Sequence, residues 1–130
     1  MRITKDNINQ FIDRTRIRLG SRKITKIDYV PEGVTHLHLG NNQLTELPKL
    51  PESLTHLYCY NNNITSLPKL PDSLIRLNCN NNNITELTKL PEGLNISCQN
   101  NNLPYKVTID NVKEHNTLLK RKEILSKICV

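Results

Sequence analysis

Three histidines, His36, His38 and His56, are the residues whose type and spacing come closest to a chemical site. If the segments around them are short strands, alternation directs all three side chains to one face of neighbouring strands. Three imidazoles on such a face could bind Zn²⁺ or Cu²⁺. The alternative, which we favour, is that they are polar contact residues on a partner-binding face. We therefore expect neither a metal nor any other cofactor.

Groups that could act in catalysis are not arranged in a recognisable set. No single face of the predicted structure collects a Ser-His-Asp triad or a pair of carboxylates. Cys59, Cys79 and Cys98 share one inward column, but no C-x-x-C spacing occurs, so we interpret them as buried, reduced thiols. Cys129, next to the C-terminus, is expected to be a free, reactive thiol without a pairing base. The sequence thus predicts a protein that is not an enzyme.

All of these side chains, apart from Cys129, belong to a sequence repeat with a period of twenty residues, and the fold of this repeat must position them. Three units align without gaps, over residues 31–50, 51–70 and 71–90. One more degenerate unit flanks them on each side: Arg22 stands where the upstream unit should have Asn, and the downstream unit lacks one residue between Leu94 and Ile96. The main apolar columns are Leu37, Leu57 and Leu77, then Leu44, Ile64 and Ile84, then Leu47, Leu67 and Leu87. About five units, too small to fold singly, would stack into a solenoid.

An asparagine column accompanies the apolar ones. Each unit turns sharply after its strand, which leaves backbone groups in the interior that need hydrogen-bond partners. An amide side chain supplies both donors and an acceptor. We therefore predict a structural ladder made of Asn42, Asn62, Asn82 and Asn101. The flanking asparagines suit left-handed turn conformations and need no binding role. They are Asn41, Asn61 and Asn81 before the ladder position, and Asn63 and Asn83 after it.

The unit L-P-x-L-P-x-x-L-x-x-L-x-x-x-x-N-x-L resembles the shortest class of leucine-rich repeats. That class is known from secreted bacterial effectors of the YopM and IpaH type and from giant DNA viruses, and the resemblance covers residues 17–103. It implies a right-handed coil with a concave parallel β-sheet. IpaH-type ligases carry a separate domain with a cysteine nucleophile, for which this chain has no room. The resemblance therefore implies a recognition scaffold without a catalytic domain.

The expected fold is an α/β repeat solenoid with a cap at each end. Residues 1–15, in which Ile8, Phe11 and Ile12 are at helical spacing, are expected to form an N-terminal capping helix with Thr4 or Asp6 as N-cap. Residues 16–103 form the repeats, and 104–130 a C-terminal capping helix. The LPKLP segments favour an extended or polyproline-II convex side. Asp110 is the expected N-cap of the second helix, whose apolar stripe is Val112, Leu118, Leu119, Leu125 and Ile128. Pairing of this helix with another subunit is the alternative to capping, and the oligomeric state is not predicted.

Positive charge is concentrated at the two ends of the chain. The net charge is +6, and the N-terminal residues 1–26 hold eight of the eighteen basic residues. The first fifteen residues lack the apolar run of a signal peptide, and no segment is apolar enough to cross a bilayer. We therefore expect a cytoplasmic protein, in the host cytoplasm if it is a viral or effector protein, without membrane contact.

The strand positions that differ between units predict where a partner binds. Tyr and Arg are enriched in binding hot spots, and both occur among the outward residues. The predicted partner-binding residues of the concave face are His36, His38, His56, Tyr58, Tyr60, Arg76, Asn78 and Asn80. A protein or peptide is the expected partner. The alternative is a nucleic acid or other polyanion bound at the basic end by Arg14, Arg16, Arg18, Arg22 and Lys23.

Overall fold

The computed structural model describes the backbone of residues 1–128 and every side chain in that range except those of residues 109 and 125–128. Within this range it has short strands, two 3-10 turns (Ile8–Phe11 and Ile109–Asn111) and a helix, α1 (Val112–Ile128). The strands are β1 (Arg2–Ile3), β2 (Ile12–Asp13), β3 (Arg16–Arg18), β4 (Lys26–Ile27), β5 (His36–His38), β6 (His56–Tyr58), β7 (Arg76–Asn78) and β8 (Asn95–Ser97).

Six strands form one sheet in the order β2-β3-β5-β6-β7-β8, and every neighbouring pair is parallel except β2 and β3. Leu37 lies opposite Leu57, and Leu57 lies opposite Leu77, so each of these steps takes twenty residues. The last step is one residue shorter, because Leu77 lies opposite Ile96. This register confirms both the repeat and the missing residue in its final unit.

The inward-facing residues of successive units form one continuous apolar core. Leu37, Leu57 and Leu77 are at most 1% exposed, because strand alternation turns them away from the outer face of the sheet. Leu44 and Ile64, from the turns that follow, are fully buried in the same core. The connections between β3 and β8 contain no helix. The fold is therefore the predicted parallel-sheet solenoid.

Buried asparagines complete the interior of each turn. The column consists of Asn42, Asn62, Asn82 and the half-buried Asn101. Asn62 shows the pattern: its Oδ1 accepts the Leu44 N–H at 3.0 Å, and its Nδ2 donates to the carbonyls of Leu39 at 3.0 Å and Cys59 at 3.1 Å. Each amide thus joins its own turn to the preceding one.

A second asparagine ladder runs along the surface beside the buried one. Its members have φ between 54° and 59°, in the left-handed region that asparagine tolerates better than most residues. Asn61 donates to the Asn41 side-chain oxygen at 2.7 Å, Asn81 to that of Asn61 at 2.7 Å, and Asn100 to that of Asn81 at 2.6 Å. The left-handed conformation expected for Asn41, Asn61 and Asn81 is confirmed, whereas the same expectation for Asn63 and Asn83 is wrong, because neither has a positive φ.

The N-terminal capping helix predicted over residues 1–15 is wrong in its extent. β1 pairs in parallel with β4, and β2 pairs antiparallel with β3. A single 3-10 turn, Ile8–Phe11, is left between β1 and β2. Asn7 precedes this turn, where Thr4 or Asp6 was expected; its Oδ1 accepts the Thr4 N–H at 2.8 Å. Strand pairing with the first coil outweighs the helical spacing of Ile8 and Phe11, because so short an isolated helix is marginal.

The C-terminal helix was predicted more closely, but its first turn differs. A 3-10 turn precedes α1, and Thr108 rather than Asp110 stands before it; the Asn111 Oδ1 accepts the Thr108 N–H at 2.7 Å. Val112 is buried, as the stripe required, whereas Leu118 is 48% exposed. The side chains of Leu125 and Ile128, and the predicted reactive thiol of Cys129, lie outside the described residues. No helix in the described range is long and apolar enough to span a bilayer.

Candidate partner-binding face

Strand register brings the predicted contact residues together on the outer face of the six-stranded sheet. Two columns of side chains run across the parallel strands, in the order of β3, β5, β6, β7 and β8. The first column is Arg16, His36, His56, Arg76 and Asn95, and the second is Arg18, His38, Tyr58, Asn78 and Ser97. These residues face outward and differ between units, whereas the inward residues repeat. The outer face is therefore the part of the surface whose chemistry is specific to this protein.

Four rings at the centre of this face stack in two pairs. His36 and His56 are nearly parallel, with ring centroids 4.2 Å apart and 9° between their planes. His38 and Tyr58 are stacked with centroids 4.5 Å apart and 20° between planes. We call His36, His38, His56 and Tyr58 the ring patch. Since each ring is held by its neighbour, the patch presents ordered aromatic surface that loses little side-chain entropy on binding.

Threonine hydroxyls orient two of the imidazoles. The Nδ1 atoms of His36 and His56 lie 2.9 Å from the hydroxyls of Thr35 and Thr55. The Thr55 hydroxyl is itself positioned by the Thr35 carbonyl, 3.0 Å away. Each of these two imidazoles is thus held in orientation by the threonine that precedes it.

The ring-patch histidines are mainly uncharged at neutral pH, because the pKa of each lies below its ordinary value. Burial is the main cause that lowers the pKa of each one, and neighbouring positive groups lower it further. Arg18 acts on the pKa of His38 and Arg76 on that of His56. The fixed positive charge of the face therefore comes from its arginines.

Tyr60 extends the aromatic surface beyond the strand ends. A Cβ atom added at Gly40 would overlap the Tyr60 ring, with Cε2 at 2.6 Å and Cε1 at 2.8 Å. The ring therefore lies directly over the backbone of Gly40 in the preceding unit, and Gly40 itself is buried. Only glycine leaves room for this arrangement.

Replacing Gly40 with alanine should therefore displace the Tyr60 ring and lower the free energy of unfolding by about 1 kcal/mol. Gly40 does not have a positive φ, so alanine suits its backbone. In a Tyr60→Ala background the same substitution should be neutral or stabilise by about 0.5 kcal/mol, through the unfolded state. Urea unfolding of the four proteins measures the coupling. Equal effects in both backgrounds would contradict the contact.

Comparison with known proteins bears on this architecture. A family model for leucine-rich repeats in two copies matches residues 32–72 and again 52–92. Among solved structures, YopM from Yersinia enterocolitica WA-314 is similar with a TM-score of 0.56 and 26% sequence identity. Residues 32–92 are thus leucine-rich repeats, and they share the fold of the repeats of that YopM chain. The similarity covers 78% of this chain but only 28% of that YopM chain. A search of curated proteins finds no significant match.

Two predicted contact residues, Asn78 and Asn80, use their side-chain oxygens in hydrogen bonds within the repeats. The Asn80 side-chain oxygen accepts the Gln99 N–H at 2.7 Å and the Ser97 hydroxyl at 2.9 Å. The Asn78 side-chain oxygen accepts the Asn80 N–H at 3.1 Å. Both lie on the predicted face, but their oxygens are already engaged, so we attribute to them a mainly structural role there.

The inward cysteine column of the repeats is buried, as its alternation predicted. Cys59 and Cys79 are completely buried, and Cys98 is 7% exposed. Burial raises the pKa of the Cys59 thiol to about 12 and also raises those of the Cys79 and Cys98 thiols. These thiols therefore stay protonated and act as packing groups. Among the residues that the structure describes, no three His, Cys, Asp or Glu side chains are placed to hold a metal ion.

His115 is a structurally important residue that the sequence analysis missed. It is 3% exposed; its Nε2 lies 3.0 Å from the Thr88 carbonyl, and its Nδ1 lies 2.7 Å from the Tyr105 hydroxyl. Next to it, the Asn116 side chain accepts the Leu90 N–H at 2.8 Å and donates to the Leu90 carbonyl at 2.7 Å. One feature of the sequence could have predicted its burial: His115 is one helical turn after Val112, which belongs to the predicted apolar stripe.

Proposed function

We propose that the protein is a non-catalytic recognition scaffold that binds a protein or peptide through the outer face of its six-stranded sheet. The observation that carries this proposal is the ring patch: four rings from two adjacent strands, stacked and half-buried before any partner arrives. Tyrosine and arginine dominate binding hot spots because they add contact area and hydrogen bonds together. Leucine-rich repeats are typically used for protein interactions, which supports the same conclusion.

The test is quantitative affinity capture with the double variant Tyr58→Ala, Tyr60→Ala. We expect at least a tenfold loss of the proteins that the wild type enriches from cytoplasmic extract, the compartment we propose. The matched control is Tyr29→Ala, which removes an exposed tyrosine outside the six-stranded sheet. Circular dichroism establishes that both variants stay folded. Unchanged capture by the folded double variant would contradict the proposal.

Polyanion binding at the basic end is the second candidate. The five cations predicted for it, Arg14, Arg16, Arg18, Arg22 and Lys23, are all exposed. Phosphate contacts of this kind weaken steeply as salt rises. A titration of labelled single-stranded DNA and RNA at low and moderate salt measures it, and no affinity at low salt would remove this candidate.

A further inference from the structure

The outer face of the sheet has fixed positive charge at two separated places. Arg16 and Arg18 lie on β3, and Arg76 lies on β7. The two intervening strands, β5 and β6, carry only the uncharged ring patch on this face. The one carboxylate in register with the columns is Asp13, on the edge strand β2, where it lies opposite Arg16. The face is thus a neutral aromatic centre between two cationic borders.

None of these three arginines forms an ion pair with another described residue. All three are exposed, and none has a carboxylate within ion-pair distance in the part of the chain that the structure describes. Their positive field is felt at the centre of the face, since it contributes to the lowered pKa of the ring-patch histidines. A surface of this kind favours an anionic group of a partner.

The spacing of the borders limits the shape of that partner. Arg16 and Arg76 belong to one column and are three strand steps apart, which is about 14 Å at the usual spacing of strands. An extended peptide advances about 3.4 Å per residue, so four residues cover the same distance. A peptide that crosses the strands can therefore place one acidic residue at each border.

Resting on the proposed function, we propose that this face binds an acidic, extended peptide segment with carboxylates four residues apart and an apolar or aromatic residue between them. One carboxylate pairs with Arg16 or Arg18, and the other pairs with Arg76. Guanidinium groups suit this role because they bind a carboxylate through two parallel hydrogen bonds. The residue between them packs on the ring patch.

A nucleic-acid strand fits this charge pattern less well. DNA carries one phosphate charge for about every 3.4 Å of each strand, and proteins match it with cations repeated along its path. Here the two central strands offer no fixed charge over the whole distance between the borders. The arrangement favours two separated anions rather than a continuous row of them.

The experiment uses fluorescence polarisation with a labelled nine-residue peptide, blocked at both ends, that has glutamate at its third and seventh positions and phenylalanine at its fifth. We expect glutamine at either acidic position to weaken binding at least tenfold, and two adjacent glutamates to bind more weakly than the spaced pair. Arg76→Gln and the double variant Arg16→Gln, Arg18→Gln should each weaken binding about tenfold. Arg121→Gln, an exposed arginine on α1, is the matched control and should have no effect.

The pH dependence of peptide binding provides an independent readout. As pH falls from 7.5 to 5.5, the ring-patch histidines gain protons while glutamates stay ionised. The groups that face these histidines are Arg16 and Arg18 from β3, Tyr58 from β6 and Arg76 from β7, with Asp13 beyond them on β2. A bound carboxylate offsets the repulsion among the cations, so binding should strengthen as these histidines gain protons, which their lowered pKa values place at more acidic pH than for a free histidine. Affinity that stays constant or weakens while these histidines gain protons would contradict the inference.

The outcomes separate this inference from the proposed function. If the acidic peptides fail to bind while Tyr58→Ala, Tyr60→Ala still loses its captured partners, the inference is overturned and the proposed function stands. If capture is also unchanged in the double variant, both are overturned. Tighter binding of a single-stranded oligonucleotide than of the peptide, with no effect of Arg76→Gln, would overturn the inference in favour of the basic end.

Discussion

Replacing Asn62 with alanine is expected to lower the free energy of unfolding by about 3 kcal/mol or more. Asn62 is 7% exposed, and its Oδ1 is the acceptor for the Leu44 N–H in the interior of the turn. Without the amide, that N–H is buried with no partner, and a buried unsatisfied donor costs about 1–3 kcal/mol by itself. The two donor bonds to Leu39 and Cys59 and the volume of the side chain are lost in addition.

Neighbouring asparagines of the buried ladder share acceptors, which limits the loss to the turn around Asn62. The Leu39 carbonyl accepts from Asn42 at 2.9 Å as well as from Asn62. The Cys59 carbonyl accepts from Asn82 at 3.0 Å as well as from Asn62. These carbonyls keep one partner in the variant, so the orphaned Leu44 N–H carries most of the cost. A repeat protein gains its stability from such contacts between adjacent units.

Urea unfolding followed by circular dichroism measures the effect, and Asn63→Ala is the matched control. Asn63 is the next residue and is exposed, so its replacement should change the free energy of unfolding by less than about 0.5 kcal/mol. Asn101→Ala, in the half-buried last position of the ladder, should fall between the two. Equal destabilisation by Asn62→Ala and Asn63→Ala would show that the ladder does not stabilise the interior.

The repeated part of the fold could be predicted because each unit contacts only its neighbours. The spacing of Leu37, Leu57 and Leu77 determines the strand register, and the register determines which residues face outward. A single missing residue before Ile96 was therefore enough to predict the shorter last step. The same logic placed the predicted contact residues in adjacent columns of one face, because alternation along a strand has a period of two.

The two ends were harder to predict because their contacts occur once and have no periodic signal. At the N-terminus, pairing of β1 with β4 competes with local helix formation. The spacing of Ile8 and Phe11 does not tell which of these two structures is the more stable. Among the described side chains of α1, a polar residue, His115, is buried as deeply as Val112. A search for apolar stripes passes over such a histidine, since its burial depends on partners elsewhere in the chain.

The details of the face depend on side-chain conformation, which spacing does not specify. Register predicts that His36 and His56 are neighbours, but not that their rings stack with 9° between planes. It likewise predicts that Gly40 and Tyr60 belong to one column, but not that the tyrosine ring covers the glycine. These arrangements follow from the rotamers and hydrogen bonds that the packed sheet permits.

Replacing His115 with alanine is expected to release α1 from the repeats. The substitution removes a buried ring and leaves the Thr88 carbonyl and the Tyr105 hydroxyl without their partner, a loss of about 3 kcal/mol at this contact. His115→Phe restores the ring but neither hydrogen bond, so it should recover only part of the loss. Because α1 contacts the solenoid at its last units, the effect should be local.

Hydrogen exchange distinguishes local release from global unfolding, because each region reports its own opening. In His115→Ala, amides of α1 should exchange much faster, while those of β5 and β6 should keep most of their protection. Thr117→Ala is the control on the same helix: its hydroxyl bonds only the Lys113 carbonyl at 3.0 Å, and its side chain is exposed. If His115→Ala left α1 as protected as Thr117→Ala does, the buried imidazole would not be what holds the helix. The other contacts to the last repeats, such as those of Asn116 with Leu90, would then be sufficient.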